Sequence, residues 1–219
     1  MAIISKLTII LIIAISFALA FLAFYLMSNL TKEQRKQQIN EITSQLINFM
    51  LFLWLAKILL NLPLFVHDPL AVLAYPSNSE AFYLAAIFTG ILVYVKTKQG
   101  KIEGGRLAHT FLQIFLAASF VYEFIQMTWR ENPFSLPYLV VFGLLLALFH
   151  VLQGRMNPLN QFSSALTAAA VGFFTINFML PYLSIFGYIV EPWFLALFLA
   201  ACFGLLINGP SDQPESESH

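Results

Sequence analysis

Leu7 to Met27 reads LTIILIIAISFALAFLAFYLM, twenty-one residues without a charged or amide side chain. A helix needs roughly 20 apolar residues to cross the hydrocarbon of a bilayer, so this stretch alone points to a spanning segment. Lys6 and the triplet Ala18-Leu19-Ala20 resemble parts of a signal peptide. The apolar run continues unbroken through Phe21 to Met27, however, which favours an uncleaved first helix. The whole chain follows suit: 59% of its 219 residues are hydrophobic and 10% are charged. Soluble domains carry about 25% charged residues, and 22 charges cannot cover the surface of a soluble domain this long. A soluble enzyme and a disordered chain are excluded. Eleven basic residues balance eleven acidic ones, which removes the field a nucleic-acid binder needs. The single cysteine, Cys202, has no intrachain disulfide partner.

Six further apolar runs follow: Leu46 to Leu62, Ala81 to Val95, Leu107 to Met127, Tyr138 to Leu152, Phe162 to Leu180 and Tyr188 to Ile207. The expected fold is therefore an all-α transmembrane bundle of about seven spans in one membrane domain, residues 1–208, with a disordered acidic tail at 209–219. Six spans result instead if the stretch between Pro181 and Pro192 is re-entrant. Thr31 to Gln45 reads as a polar connection. Pro63 to Glu80, broken by Asp68-Pro69 and Tyr75-Pro76-Ser77-Asn78-Ser79, reads as a loop or short interfacial helices. Lys32, Arg35, Lys36, Lys96, Lys98, Lys101, Arg106 and Arg155 fall in alternate connections, while the opposite side holds only Lys6 and Arg130. That bias predicts an N-terminus outside and a C-terminus in the cytoplasm.

Charged or amide groups inside such runs are costly, about 2.5–3.5 kcal/mol for a lysine or aspartate at a helix centre. Lys57 lies in the second run, with Asn61 one turn on; Glu123 lies deep in the fourth. His109, Gln113, Phe120 and Glu123 share a helical face, and Asn177 closes the sixth run. Two readings stand. Lys57 and Glu123 pair across a polar cavity, with Asn61, Gln113 and Asn177 around a lipid headgroup; or the same groups only hold helices together. His109 and His150 read as interfacial and His67-Asp68 as a solvated loop. No H-E-x-x-H, G-x-S-x-G, Gly-rich phosphate loop or C-x-x-C occurs, so neither a catalytic set nor a cofactor is expected.

Leu55-Ala56-Lys57-Ile58-Leu59, then Asp68-Pro69-Leu70, then a turn into Ala81 to Val95 and a basic loop form a layout that resembles prolipoprotein diacylglyceryl transferase. That seven-helix bacterial enzyme family moves diacylglyceryl from phosphatidylglycerol to a lipobox cysteine. The resemblance runs loosely from Phe17 to Asn177 and implies the same N-out, C-in arrangement. Lys57 alone matches a basic position of the family. Where the family carries its His-Gly-Gly element this chain reads Pro76-Ser77-Asn78-Ser79-Glu80-Ala81-Phe82-Tyr83; where it carries Gly-Arg-Ile-Gly-Asn-Phe, this chain reads Ser119-Phe120-Val121-Tyr122-Glu123-Phe124. The helix that brings another essential arginine reads Gly172-Phe173-Phe174-Thr175-Ile176-Asn177. Guanidinium forks that would grip a phosphoglycerol headgroup are missing. The expectation is a multi-pass protein of a bacterial plasma membrane that binds a lipid or a membrane partner and lacks the transferase reaction. The alternative is a membrane enzyme acting on a phospholipid or lipoprotein. A small transporter is disfavoured by the scarcity of polar groups in the spans.

Overall fold

A computed structural model describes residues 2–28, 30–74, 77–153, 155, 158–180, 182–197 and 200. The elements in chain order are α1 Ala2–Met27, α2 Lys32–Leu60, α3 Leu62–His67, α4 Pro69–Ala74, α5 Ser79–Lys98, α6 Gly104–Trp129, α7 Ser135–Leu152, α8 Pro158–Met179, β1 Leu183–Ile185 and β2 Tyr188–Val190. A further helical stretch covers 192–197. Five helices are long and apolar enough to cross a membrane, within α1, α2, α5, α6 and α7; α8 adds a shorter apolar stretch, Ser164–Met179.

Two expectations change. Thr31 to Gln45 is not a separate connection but the first half of α2, and a capping box starts it. The Gln34 amide donates to Thr31 Oγ1 (3.3 Å) and the Thr31 amide to Gln34 Oε1 (3.1 Å). The resulting 29 residues rise about 43 Å, the depth of a bilayer with its headgroups, so the polar half extends out of the hydrocarbon. The second change concerns the expected seventh helix, whose start at Tyr188 is instead a β-strand. Its later part beyond 200, Cys202 and the expected tail at 209–219 lie outside the described residues. Pro63 to Glu80 does contain two short helices, α3 and α4, as the Pro and Asp breaks suggest. Asp68 caps α4 through its Oδ1, which accepts from the Ala71 amide at 3.0 Å.

Helix α6 is the axis of the bundle. It packs on α1 along one side and on α7 and α8 along another, while α2 lies on α5. Buried residues therefore occur nearly all round it, from Leu107 and Thr110 to Glu123 and Gln126. One apolar cluster joins α6, α7, α8 and the strands through Leu116, Phe142, Phe149, Phe173 and Ile176. A second joins α1, α2 and α6 through Ala20, Phe24, Ile42 and Ile114. The outward faces are equally apolar: Leu11, Leu26, Trp54, Leu144, Phe174 and Phe178 are all exposed. An outer surface of this kind is one that lipid, not water, must cover.

Close approach of α7 and α8 depends on Gly172. A Cβ there would lie 2.6 Å from Val141 Cγ1, inside any tolerable contact. Gly172→Ala is expected to cost about 1–3 kcal/mol by overpacking. Thermal unfolding in detergent checks it, and Val141→Ala in the same chain should restore most of the loss.

Candidate functional site

The most unusual local structure is the hairpin between α8 and residue 192. Its strands pair antiparallel with Leu183 opposite Val190, Ser184 opposite Ile189 and Ile185 opposite Tyr188. Two residues form the turn, Phe186 (φ 50°) and Gly187 (φ 83°), both left-handed, as a type I′ turn requires. Glycine takes that conformation freely; phenylalanine does not. The Phe186 ring explains the choice. It lies 5.3 Å from the ring of Phe17 on α1, and 5.8 and 5.2 Å from those of Phe115 and Tyr122 on α6. Phe115 is fourteen residues short of Trp129, or about 21 Å of helix rise. The turn thus reaches from one end of the bundle to its middle.

Non-helical backbone at such a depth must have its polar groups satisfied by protein. Two tyrosines do this. Tyr138 on α7 donates its hydroxyl to the Tyr182 carbonyl (3.2 Å) and accepts from the Ser184 amide (2.9 Å). Tyr83 on α5 donates to the Ile189 carbonyl (2.9 Å) and accepts from the Glu191 amide (2.8 Å). Each strand edge is clamped by one phenol acting as donor and acceptor at once. Phe82 stacks on Tyr188 (4.8 Å) and Tyr83 on Phe194 (4.3 Å), which fixes the second strand laterally. Gly187→Ala should lose roughly 1–2 kcal/mol of stability from the left-handed backbone alone, measured by the same thermal unfolding.

The hairpin walls a cleft of about 100 Å³, room for a small polar group. Helix α6 contributes Tyr122, Glu123 and Gln126, and α7 contributes Tyr138. Asn132 and Phe134 come from the connection between them; Leu180, Tyr182, Ser184 and Gly187 complete the lining. The connection is shaped by the end of α6. Glu131 adopts a left-handed conformation (φ 51°), the Asn132 amide returns to the Gln126 carbonyl (3.2 Å), and Asn132 Oδ1 accepts from the Phe134 amide (3.1 Å). Glu123 is 6% exposed, and no lysine or arginine lines the cleft among the described residues. Ser135, fully buried, lies beside Glu123 but makes no hydrogen bond of good geometry, and the buried Ser119 hydroxyl close by also has no partner in the protein. Polar atoms seeking partners therefore gather around one carboxyl group.

The five residues expected to form a site do not gather. Glu123 lines the cleft. Lys57 instead donates from Nζ to the Leu73 carbonyl at the end of α4 (3.0 Å), and Asn61 caps α2, its Nδ2 donating to the Lys57 carbonyl (2.9 Å). No salt bridge joins Lys57 to Glu123; the one among the described residues is Arg106 to Glu103, 3.2 Å. Gln113 sits ten residues back along α6, about 15 Å of rise from Glu123, and Asn177 is exposed on α8. His109 belongs to the opposite end of the bundle, where its Nε2 meets Gln161 Oε1 at 3.1 Å. Gln161 Nε2 donates to the Phe149 carbonyl (2.8 Å), which fixes the amide and makes the histidine nitrogen the donor. His150 is exposed. No group of three or more His, Cys, Asp or Glu that could hold a metal exists among the described residues.

The residues that matter most here, Tyr83, Tyr138, Tyr122 and Ser184, were not among those singled out. Their signal was present: a phenol inside an apolar run must find a hydrogen-bond partner, and two of them flank the runs that receive the hairpin. No protein-family model, curated protein or solved structure matches the chain.

Proposed function

We propose that this is a multi-pass plasma-membrane protein of bacterial type with seven spans, N-terminus outside, that binds the polar head of a membrane lipid in the cleft at Glu123. The single observation that carries the reading is that cleft: a buried carboxyl group in a lining of phenols and amides at the end of an otherwise apolar bundle. Phe134 and Tyr182, which line the cleft, and Trp129, at the end of α6, are all exposed, and aromatic residues of this kind sit at headgroup level. The basic loops lie at the other end of the helices, so the charge bias puts this mouth on the outer leaflet. Of the likeness to prolipoprotein diacylglyceryl transferases, the reading keeps the arrangement of spans and leaves out the reaction. Lys57, the one basic residue that likeness carries, serves the α4 carbonyl, and the cleft offers an acid without a cation to hold a phosphoglycerol. Hydrolytic or transfer chemistry would draw on Ser184 and Glu123, since among the described residues the lining holds no histidine, lysine or cysteine.

Native mass spectrometry of protein released from mild detergent tests this. Wild type should keep phospholipid, Glu123→Ala should keep several-fold less, and Lys57→Ala should match wild type. Equal retention by wild type and Glu123→Ala contradicts the site. Retention of a second membrane protein with no lipid on either would replace the lipid reading with a partner-binding one.

A further inference from the structure

We infer that the group held at Glu123 is an alkylammonium, the head of an ethanolamine or choline phospholipid or the same cation on a water-soluble amine. The inference rests on the lipid-site reading and narrows it by charge, lining and size. Among the described residues, Glu123 is the only ionisable acid or base in the lining apart from the phenols, and no salt bridge to it exists. A buried carboxyl group without a cation from the chain either takes up a proton or meets a cation from outside it, and the lining decides between the two. Four aromatic side chains, Tyr122, Phe134, Tyr138 and Tyr182, surround the same space, with the rings of Phe134 and Tyr182 6.5 Å apart. Aromatic walls closing on a carboxylate are the chemistry that selects ammonium groups, methylated ones included, over anions. About 100 Å³ fits a headgroup and excludes acyl chains, which would stay in the bilayer.

The test uses full-length protein in detergent, supplemented in turn with pure phosphatidylcholine, phosphatidylethanolamine, phosphatidylglycerol and diacylglycerol, and counts bound lipid by native mass spectrometry. Wild type should hold the choline or ethanolamine lipid about tenfold more than phosphatidylglycerol or diacylglycerol. Glu123→Gln, which keeps the shape and removes the charge, should lose that preference about tenfold. Phe134→Leu, at the exposed rim, serves as a second variant in which only the aromatic contribution falls, so the inference stays testable if Glu123→Gln fails to fold. Aqueous choline and ethanolamine form a separate arm. Displacement of the lipid by them at millimolar concentration shows that the ammonium alone suffices and makes a soluble amine the ligand. Lipid retention that favours phosphatidylglycerol, or is indifferent to headgroup and to both variants, overturns the ammonium assignment while the lipid site stands. Retention of none of the four lipids, with no response to either amine, overturns both.

Discussion

Phe186→Asn will destabilise the protein by about 1–3 kcal/mol, even though asparagine suits its backbone conformation far better. The two effects oppose each other. A left-handed φ of 50° costs an ordinary side chain roughly 1–2 kcal/mol, and asparagine, which tolerates that region, recovers most of it. Truncating a packed phenylalanine costs about 3–5 kcal/mol when fully buried and somewhat less here, where the ring is half-buried among Phe17, Phe115 and Tyr122. Packing should therefore prevail, and thermal unfolding in detergent reads the sign directly. A stabilised Phe186→Asn would mean the turn sits in water at the surface, and its packing in the middle of the bundle would be contradicted.

Removing the clamps gives the second large effect. Tyr83→Phe and Tyr138→Phe each keep the ring and delete one hydroxyl, yet each strips partners from two backbone groups of the hairpin. An unsatisfied buried group costs about 1–3 kcal/mol, so each variant should lose roughly 2–4 kcal/mol where the backbone cannot reach water. The sites are on opposite strand edges and share no partner, so the losses should add. Tyr94→Phe, an exposed phenol on α5, is the control and should change nothing measurable. If all three variants melt alike, the phenols are not what holds the hairpin in place.

How far the chain could be read in advance depended on range. The apolar runs are local, and α1, α5, α6 and α7 fall close to where their hydrophobicity puts them. The polar half of α2 was hidden because Lys32 to Gln45 is too polar to read as a span, although its Lys, Glu, Gln and Arg favour a helix and a capping box starts it at Thr31. The hairpin was hidden for a different reason. Tyr188, Ile189 and Val190 are as apolar as any helix start, and only Tyr83, more than a hundred positions away, decides that they pair as a strand. Glu123 could be picked out by its cost in an apolar helix; its neighbours in the cleft could not, because Asn132, Tyr138 and Ser184 meet it through tertiary structure alone. Lys57 shows the reverse case. A charge in a run suggests an opposite charge across the bundle, but a helix carbonyl one short connection away satisfies it equally well.

All that is proposed for the cleft presupposes that its hairpin wall is a fixed part of the bundle interior. Hydrogen–deuterium exchange of the intact protein in lipid nanodiscs, followed at the Ser184 and Glu191 amides, tests this most directly. Both should be protected to the extent of the α6 and α7 interior, and Tyr138→Phe should release Ser184 while leaving Glu191 protected. Exchange of both amides in wild type as fast as in an open loop would contradict the account.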